Sequence, residues 1–298
     1  MNDLLKNLTL EIEENRKESS PVKAAWVKSC QRIGLEINDP FVQFGLKCSN
    51  HPDLIHSNNK YHNHFHAADA IISASYLAKE EFTQNSLEIN GSLLLFSMMF
   101  HDIAHNGGHN HFDYELEQAA VNSMNDYISS NKHLLVYWNN ELKNKYGDWT
   151  SFSQNVESII LGTDFKNGLK INLKNYDEVP VDINRVRLLA NEADILPSCT
   201  STLGPKLGLL LSEELDKPIV GTWKGREFFI RELAKVGSKA SKIFGIQEHV
   251  NKQLEVIHSI GIDELDNQSM NGNFLNVSEK INEKVVSIAL SKSKSFKR

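Results

Sequence analysis

The chain has 298 residues, 40% of them hydrophobic and 23% charged, with a net charge of −6 at neutral pH. That balance excludes wholesale disorder and gives no global attraction for nucleic acid or an anionic membrane. No apolar run reaches the length of a membrane span, the N-terminus "MNDLLKNLTLEIEENRKESS" lacks the basic-then-apolar order of an export signal, and Cys30, Cys48 and Cys199 form no CxxC pair, so a reducing cytoplasm is the expected setting.

Apolar residues recur at three- and four-residue spacing along most of the chain, and alternating strand patterns are scarce. The spacing predicts helices over 3–17 and 22–35, the second opened by Ser20 and Pro21. A third is expected through "HFHAADAIISASYLAKEEF". The stretch "GSLLLFSMMFHDIAH" is apolar nearly all round and is expected as a central buried helix. Further helices are predicted over 113–128, 150–162, 181–195, 204–215, 223–236, 247–260 and 277–290. Residues 167–182 read as a loop, and the final "SKSKSFKR" as a solvated, frayed basic tail. The expected fold class is all-α, a multi-helix bundle.

Of the 12 histidines, His62, His64, His66, His101, His105, His109 and His111 crowd into the stretch between residues 62 and 111. On a helix, His62 and His66 share a face, and His101 and His105 repeat that spacing, so two helices could aim two pairs of imidazoles at one point. Asp102 ends the apolar run "LLLFSMMFHDIAH", where a buried carboxylate is unfavourable unless paired or metal-bound. Asp194 ends another apolar stretch, in "VRLLANEADILPS". A lone histidine on an apolar face is usually a hydrogen-bonded core residue. Together, however, His66, His101, Asp102 and Asp194 make an N2O2 donor set suited to Zn²⁺ or another first-row divalent ion. His64, His109 and His111 read as polar rim or supporting residues, and His133, His249 and His258 as structural or surface ones.

These residues carry a resemblance. An HD pair at 101–102, with an earlier histidine and a later aspartate, resembles the H…HD…D signature of the HD phosphohydrolase superfamily, an all-helical fold. Longer strings are similar to those of the class I 3′,5′-cyclic nucleotide phosphodiesterases. "YHNHFHAADA" resembles their YHNxxHAxDV motif, "HDIAHNGGHN" fits HDxxHxGxxN at every fixed position, "IILGTDF" is similar to LATDM, and "NEADILPS" stands where the family has ADLSNP. The resemblance implies an HD-domain, PDEase-like bundle in a compact single-domain, bacterial-like form. It also implies hydrolysis of cAMP or cGMP to the 5′-monophosphate by a hydroxide bridging two divalent ions, with a histidine as general acid.

By the same resemblance, His66, His101, Asp102 and Asp194 hold the tighter metal, zinc or else iron or manganese. Asp102 bridges to a second ion, Mg²⁺ or Mn²⁺, whose water shell His105, Thr163 and Asn63 support. His62 matches the proton donor, with His105 and Glu117 as further catalytic residues. Glu117 would correspond to the acid of the family's LEnHH segment, whose two histidines are absent here. Gln247 and Phe244, in "KIFGIQEHVNKQ", are the candidates for holding the purine, and the choice between cAMP and cGMP stays open. The expected organisation is one domain over 1–298. N-terminal helices occupy 1–54, a metal-binding catalytic core 55–200, C-terminal helices that complete the pocket 201–290, and a basic tail 291–298.

Other readings remain. A nucleotidase, a deoxynucleoside triphosphate hydrolase or a guanosine tetraphosphate hydrolase would share the metal ligands without needing YHN or HxGxxN, and would favour more Lys and Arg near the site. Cyclic di-GMP hydrolysis lacks its GYP element. A diiron oxygenase would require extra histidine ligands, such as His105 with His109 or His111. A non-catalytic binding domain would have no use for His62. The expected partner is a cyclic nucleotide, with no nucleic acid and no membrane; the sequence does not give the oligomeric state, and no regulatory module is recognisable.

Overall fold

Helix formation follows the apolar periodicity, and the described residues contain no strand. The computed structural model describes residues 3–164, 166 and 183–295, so the loop expected at 167–182 lies outside them. Four helices lead in: α1 (Asp3–Asn15), α2 (Pro21–Arg32), α3 (Pro40–Cys48) and the single turn α4 (Pro52–Ile55). The long α5 (His64–Glu81) and α6 (Gln84–Phe100) follow, then α7 (Glu115–Ser130), α8 (Lys132–Tyr137), α9 (Lys143–Tyr146) and α10 (Trp149–Leu161). The last part holds α11 (Ile183–Cys199), α12 (Leu203–Glu214), α13 (Trp223–Phe228), α14 (Lys239–Phe244), α15 (Ile246–Ile260), α16 (Ile262–Ser269) and α17 (Phe274–Ser295).

Small residues let α5 sit at the centre: Ala67, Ala68, Ala70, Ala74 and Ala78 are all buried, and α1, α2, α6, α11 and α14 pack around it. Away from the site, Trp26, Phe41, Phe44, Phe96, Trp138 and Phe152 form an aromatic core between α2, α3, α6 and α10. Gly45 makes the α2–α3 contact possible, because a Cβ there would lie 2.1 Å from the Trp26 ring.

Several expectations need correction. The helix through "GSLLLFSMMFHDIAH" stops at Phe100, because the chain reverses at Ala104 with φ +60°. His62 precedes the helix it was expected to share with His66, since Asn63 caps α5 by accepting the N–H groups of Phe65 and His66. The helix expected over 223–236 gives way to a wider π turn at Phe229–Leu233 and ends at Ala234. The break frees the N–H groups of Gly237 and Ser238 to donate to Glu192, at 2.7 and 2.9 Å. With no proline or glycine after Gly272, the backbone of the expected frayed tail stays helical to Ser295.

Polar anchors tie the C-terminal helices to α11. Its last carbonyls have no partner within the helix. Arg226 donates to the carbonyls of Ser198 and Thr200, at 2.5 and 3.0 Å, and to Gln253 at 2.7 Å, while Gln253 donates to the carbonyl of Cys199 at 2.8 Å. Burial brings the Arg226 guanidinium down to about 10. Buried His249 accepts the Ser201 N–H through Nε2 at 3.2 Å, and burial, reinforced by the Arg226 charge, lowers it to about 3.

Two outcomes follow from this packing. Gly45→Ala lowers the unfolding free energy by about 3 kcal/mol, the upper end of overpacking costs, because the indole is rigid and fully buried. Gly208→Ala in α12, whose Cβ would meet nothing closer than 3.6 Å, raises it by about 0.5–1 kcal/mol; urea titration of both variants measures the contrast. His249 is held neutral when folded, so its contribution is complete above the unfolded value of 6.5 and declines as pH falls below it toward 3. His249→Gln, which keeps an acceptor, should flatten the acid-side loss of stability by up to about 1.4 kcal/mol per pH unit in a pH series of urea melts.

Candidate metal and proton-transfer site

Three elements deliver the donors of the buried cluster. His66 lies in the first turn of α5, His101 and Asp102 directly follow α6, and Asp194 lies in α11. His66 Nε2 lies 2.9 Å from Asp102 Oδ2, 3.0 Å from Asp194 Oδ1 and 3.2 Å from His101 Nε2. His101 Nε2 lies 3.1 and 3.5 Å from the same two carboxylates. An ion 2.0–2.2 Å from each donor would require separations of about 3 to 3.6 Å, so the cluster is able to bind a metal. Nδ1 of His101 lies 2.9 Å from the Met98 carbonyl. Only a protonated Nδ1 satisfies that bond, which leaves Nε2 to face the cluster.

The electrostatics agree with a cation-shaped volume. Burial alone would lower His66, but Asp102 and Asp194 outweigh it and raise the ring to about 9. His101 is pushed well above its usual value by the same balance. Burial would raise both carboxyls, and the two rings overcome it and hold Asp102 and Asp194 below the carboxylate range. The side chains of His66 and His101 are 3% and 1% exposed, those of Asp102 and Asp194 22% and 27%. The cluster therefore has a closed imidazole back and an open carboxylate face.

A second group stands beside it. His62 Nδ1 lies 2.5 Å from Glu214 Oε1, and Glu214 Oε2 accepts the N–H groups of Tyr61 and His62 at 2.6 and 3.0 Å. Burial would raise Glu214, but the bonds to His62 outweigh it and hold the carboxyl at about 2. The ionised carboxylate can only accept, so His62 Nδ1 carries a proton. His105 lies flat on His62, with ring centroids 3.8 Å apart and 19° between planes. Its Nδ1 accepts the Gly107 N–H at 3.0 Å, and burial followed by the His62 charge lowers it to about 4. His62, His105 and Glu214 also lie close enough together to hold a metal, but stacked rings do not aim their in-plane lone pairs at one point, which makes this trio a poorer cation site than the first cluster. A cavity of about 130 Å³ borders His62, Asp102 and His105.

The other expected residues fall in different places. Asn110 donates to Glu117 at 2.9 Å and to Asp164 at 3.0 Å, which joins two of the motif strings, and burial raises the Glu117 carboxyl. Thr163 is buried and donates to the Ile160 carbonyl at 2.7 Å. Asn63 was expected near a metal water shell; instead its oxygen caps α5 and its amide donates to the Asn59 and Lys60 carbonyls. Neither purine candidate stands at the site. Phe244 is fully buried against Tyr76, and Gln247 is exposed and donates to Asn251, because the α14–α15 junction turns one into the core and the other outward. His109 meets Lys217, His111, His133 and His258 are exposed, and His64 packs on Phe65. Glu214 escaped the sequence reading, since nothing in "LLLSEELDKP" separates it from Glu213.

An all-helical bundle that brings an HD pair together with one further histidine and one further aspartate is the arrangement of the HD phosphohydrolases. Residues 61–179 match the family model for 3'5'-cyclic nucleotide phosphodiesterase. Asp194 lies beyond the matched residues, and the fold brings it to His66. No curated protein matches the chain. Among solved structures, the fold is similar to the phosphodiesterase domain of the RhoPDE fusion protein from the choanoflagellate Salpingoeca rosetta, at 15% identity over 95% of this chain and 93% of that one, with a TM-score of 0.50. LmjPDEB1 in complex with IBMX matches at 16% identity over 95% and 91% of the two chains, with a TM-score of 0.47. The similarity to the first is one of fold, and it reaches well outside the matched segment. Among the described residues, no helix is long and apolar enough to cross a membrane.

Zn²⁺ at about a hundred times its dissociation constant should raise the unfolding free energy by about 2.7 kcal/mol. The gain should vanish with chelator and in Asp102→Ala. A wild-type melting curve indifferent to Zn²⁺, Mn²⁺ and Co²⁺ would count against the cluster as a metal site.

Proposed function

We propose that the protein hydrolyses a 3′,5′-cyclic nucleotide to its nucleoside 5′-monophosphate, that His66, His101, Asp102 and Asp194 would hold Zn²⁺, Fe²⁺ or Mn²⁺, and that Asp102 would also help to hold Mg²⁺ or Mn²⁺. The observation that carries this reading is the Glu214–His62 pair beside the cluster: a proton donor fixed next to a cation site. When bound, such ions supply positive charge to the phosphoryl oxygens and make a water acidic enough to be a nucleophile at neutral pH.

The chain's own residues account for the leaving group. As water, having released one proton to solvent, adds to phosphorus as hydroxide, the P–O3′ bond breaks and the 3′-oxygen departs as a strongly basic alkoxide that needs a proton. His62 supplies it from Nε2, because Glu214 keeps Nδ1–H engaged throughout. His105, stacked on the ring, limits its rotation and stays neutral. Glu117, with Asn110 and Asp164, forms a hydrogen-bonded acidic wall that suits ordered water near Asp102. The three free, buried cysteines fit a reducing cytoplasm.

Purified protein with Mn²⁺ or Mg²⁺ is expected to convert cAMP, cGMP or both to the 5′-monophosphate, followed by chromatography against a chelated control, and the two rates rank the bases. His62→Ala should keep its bound metal and lose about 10²- to 10⁴-fold in kcat, whereas Asp102→Ala should lose both. Metal-dependent release of inorganic phosphate or pyrophosphate from other nucleotides, with both cyclic substrates untouched, would replace this reading with a general HD phosphohydrolase.

A further inference from the structure

Between Asp102 and His105 the backbone adopts a conformation that its residue does not favour. Ala104 has φ +60°, in the left-handed region that a side chain with a Cβ rarely enters. A straight continuation of α6 would place His105 one turn beyond His101 on the same face. The reversal instead leaves His101 and Asp102 in the metal cluster and lays His105 on His62.

Residues outside the turn hold it in place. The Ala104 N–H donates to Asp53 Oδ2 at 2.9 Å, and Asn59 Nδ2 donates to the His105 carbonyl at 2.8 Å. Asp53 is itself anchored. It follows Pro52 at the start of α4, and its N–H donates to His51 Nδ1 at 3.2 Å. The buried His51 ring packs edge-on against Phe100, the residue before His101. Asp53 also borders the cavity shared by His62, Asp102 and His105 without being a donor of either cluster.

We propose that Asp53 is a positioning residue: by accepting the Ala104 N–H it holds the left-handed reversal, and through it sets Asp102 among the metal donors and His105 against His62. The proposal rests on the metal-site reading above. Its chemistry is that of an acceptor, so the charge of Asp53 is secondary.

The test reads Co²⁺ binding by visible absorbance, with no turnover required, alongside hydrogen exchange of the Ala104 amide. Asp53→Ala should weaken Co²⁺ about tenfold, in the range seen when a metal ligand loses its supporting partner. Asp53→Asn, which keeps an oxygen acceptor in place, should stay within about threefold of the wild type. Asp53→Ala combined with Ala104→Gly should recover most of the affinity, since glycine enters the left-handed region without a steric penalty. A purely structural role for Asp53 would not be rescued by a change at Ala104. Wild-type affinity in Asp53→Ala, equal losses in the Ala and Asn variants, or no rescue by glycine would each overturn the proposal. If the wild-type protein bound no Co²⁺, the metal reading would fall, and Ala104 amide exchange would decide alone. Faster exchange in Asp53→Ala would support the positioning role, and unchanged exchange would overturn it.

Discussion

Two carboxylates and two imidazoles whose donor atoms all lie within 4.8 Å of one another concentrate charge where little water can screen it. Such a group is tolerated only with protons or a cation among its members. Much of the surrounding architecture serves to bring these four side chains together from separate elements. The alanines of α5 let its neighbours approach closely, the early end of α6 turns His101 and Asp102 inward, and α11 carries Asp194 back after a long excursion of the chain. The asymmetry of exposure gives the cluster a direction, since the nitrogen donors are sealed and the oxygen donors face the cavity.

The proton-holding group is kept apart from that cluster by chemistry as much as by distance. Glu214 spends its oxygens on His62 and on two backbone N–H groups, and His105 uses Nδ1 to accept from its own loop. Under the proposed function such separation is useful, because a metal and a proton otherwise compete for the same nitrogen lone pairs.

The sequence discloses the chemistry more readily than the geometry. His66, His101, Asp102 and Asp194 were legible because carboxylates and imidazoles set in apolar runs are costly to bury without a partner or an ion, and all-helical class was legible from periodicity. Spacing alone misplaced His62 and His105. An i, i+4 argument presumes an unbroken helix, and Asn63 and Ala104 each break one. Glu214 was invisible because its partner lies more than 150 positions away. Gln247 and Phe244 are purine candidates by residue type and position in the chain alone, and helix rotation turns one to solvent and the other into the core. The short helices α3, α4, α8, α9, α14 and α16 have no counterpart among the predicted elements, because four to nine residues carry too little periodicity.

Helix α11 serves three clients at once. Asp194 reaches the cluster, Glu192 receives the Ser238 and Ser241 hydroxyls with two N–H groups, and the end of the helix is closed by Arg226 and Gln253. Its rotation about its own axis is therefore over-determined by residues far along the chain. The C-terminal helices accordingly act on the cluster at a distance: without the bonds to Arg226 and Glu192, α11 could turn and carry Asp194 away from His66 with every donor residue intact.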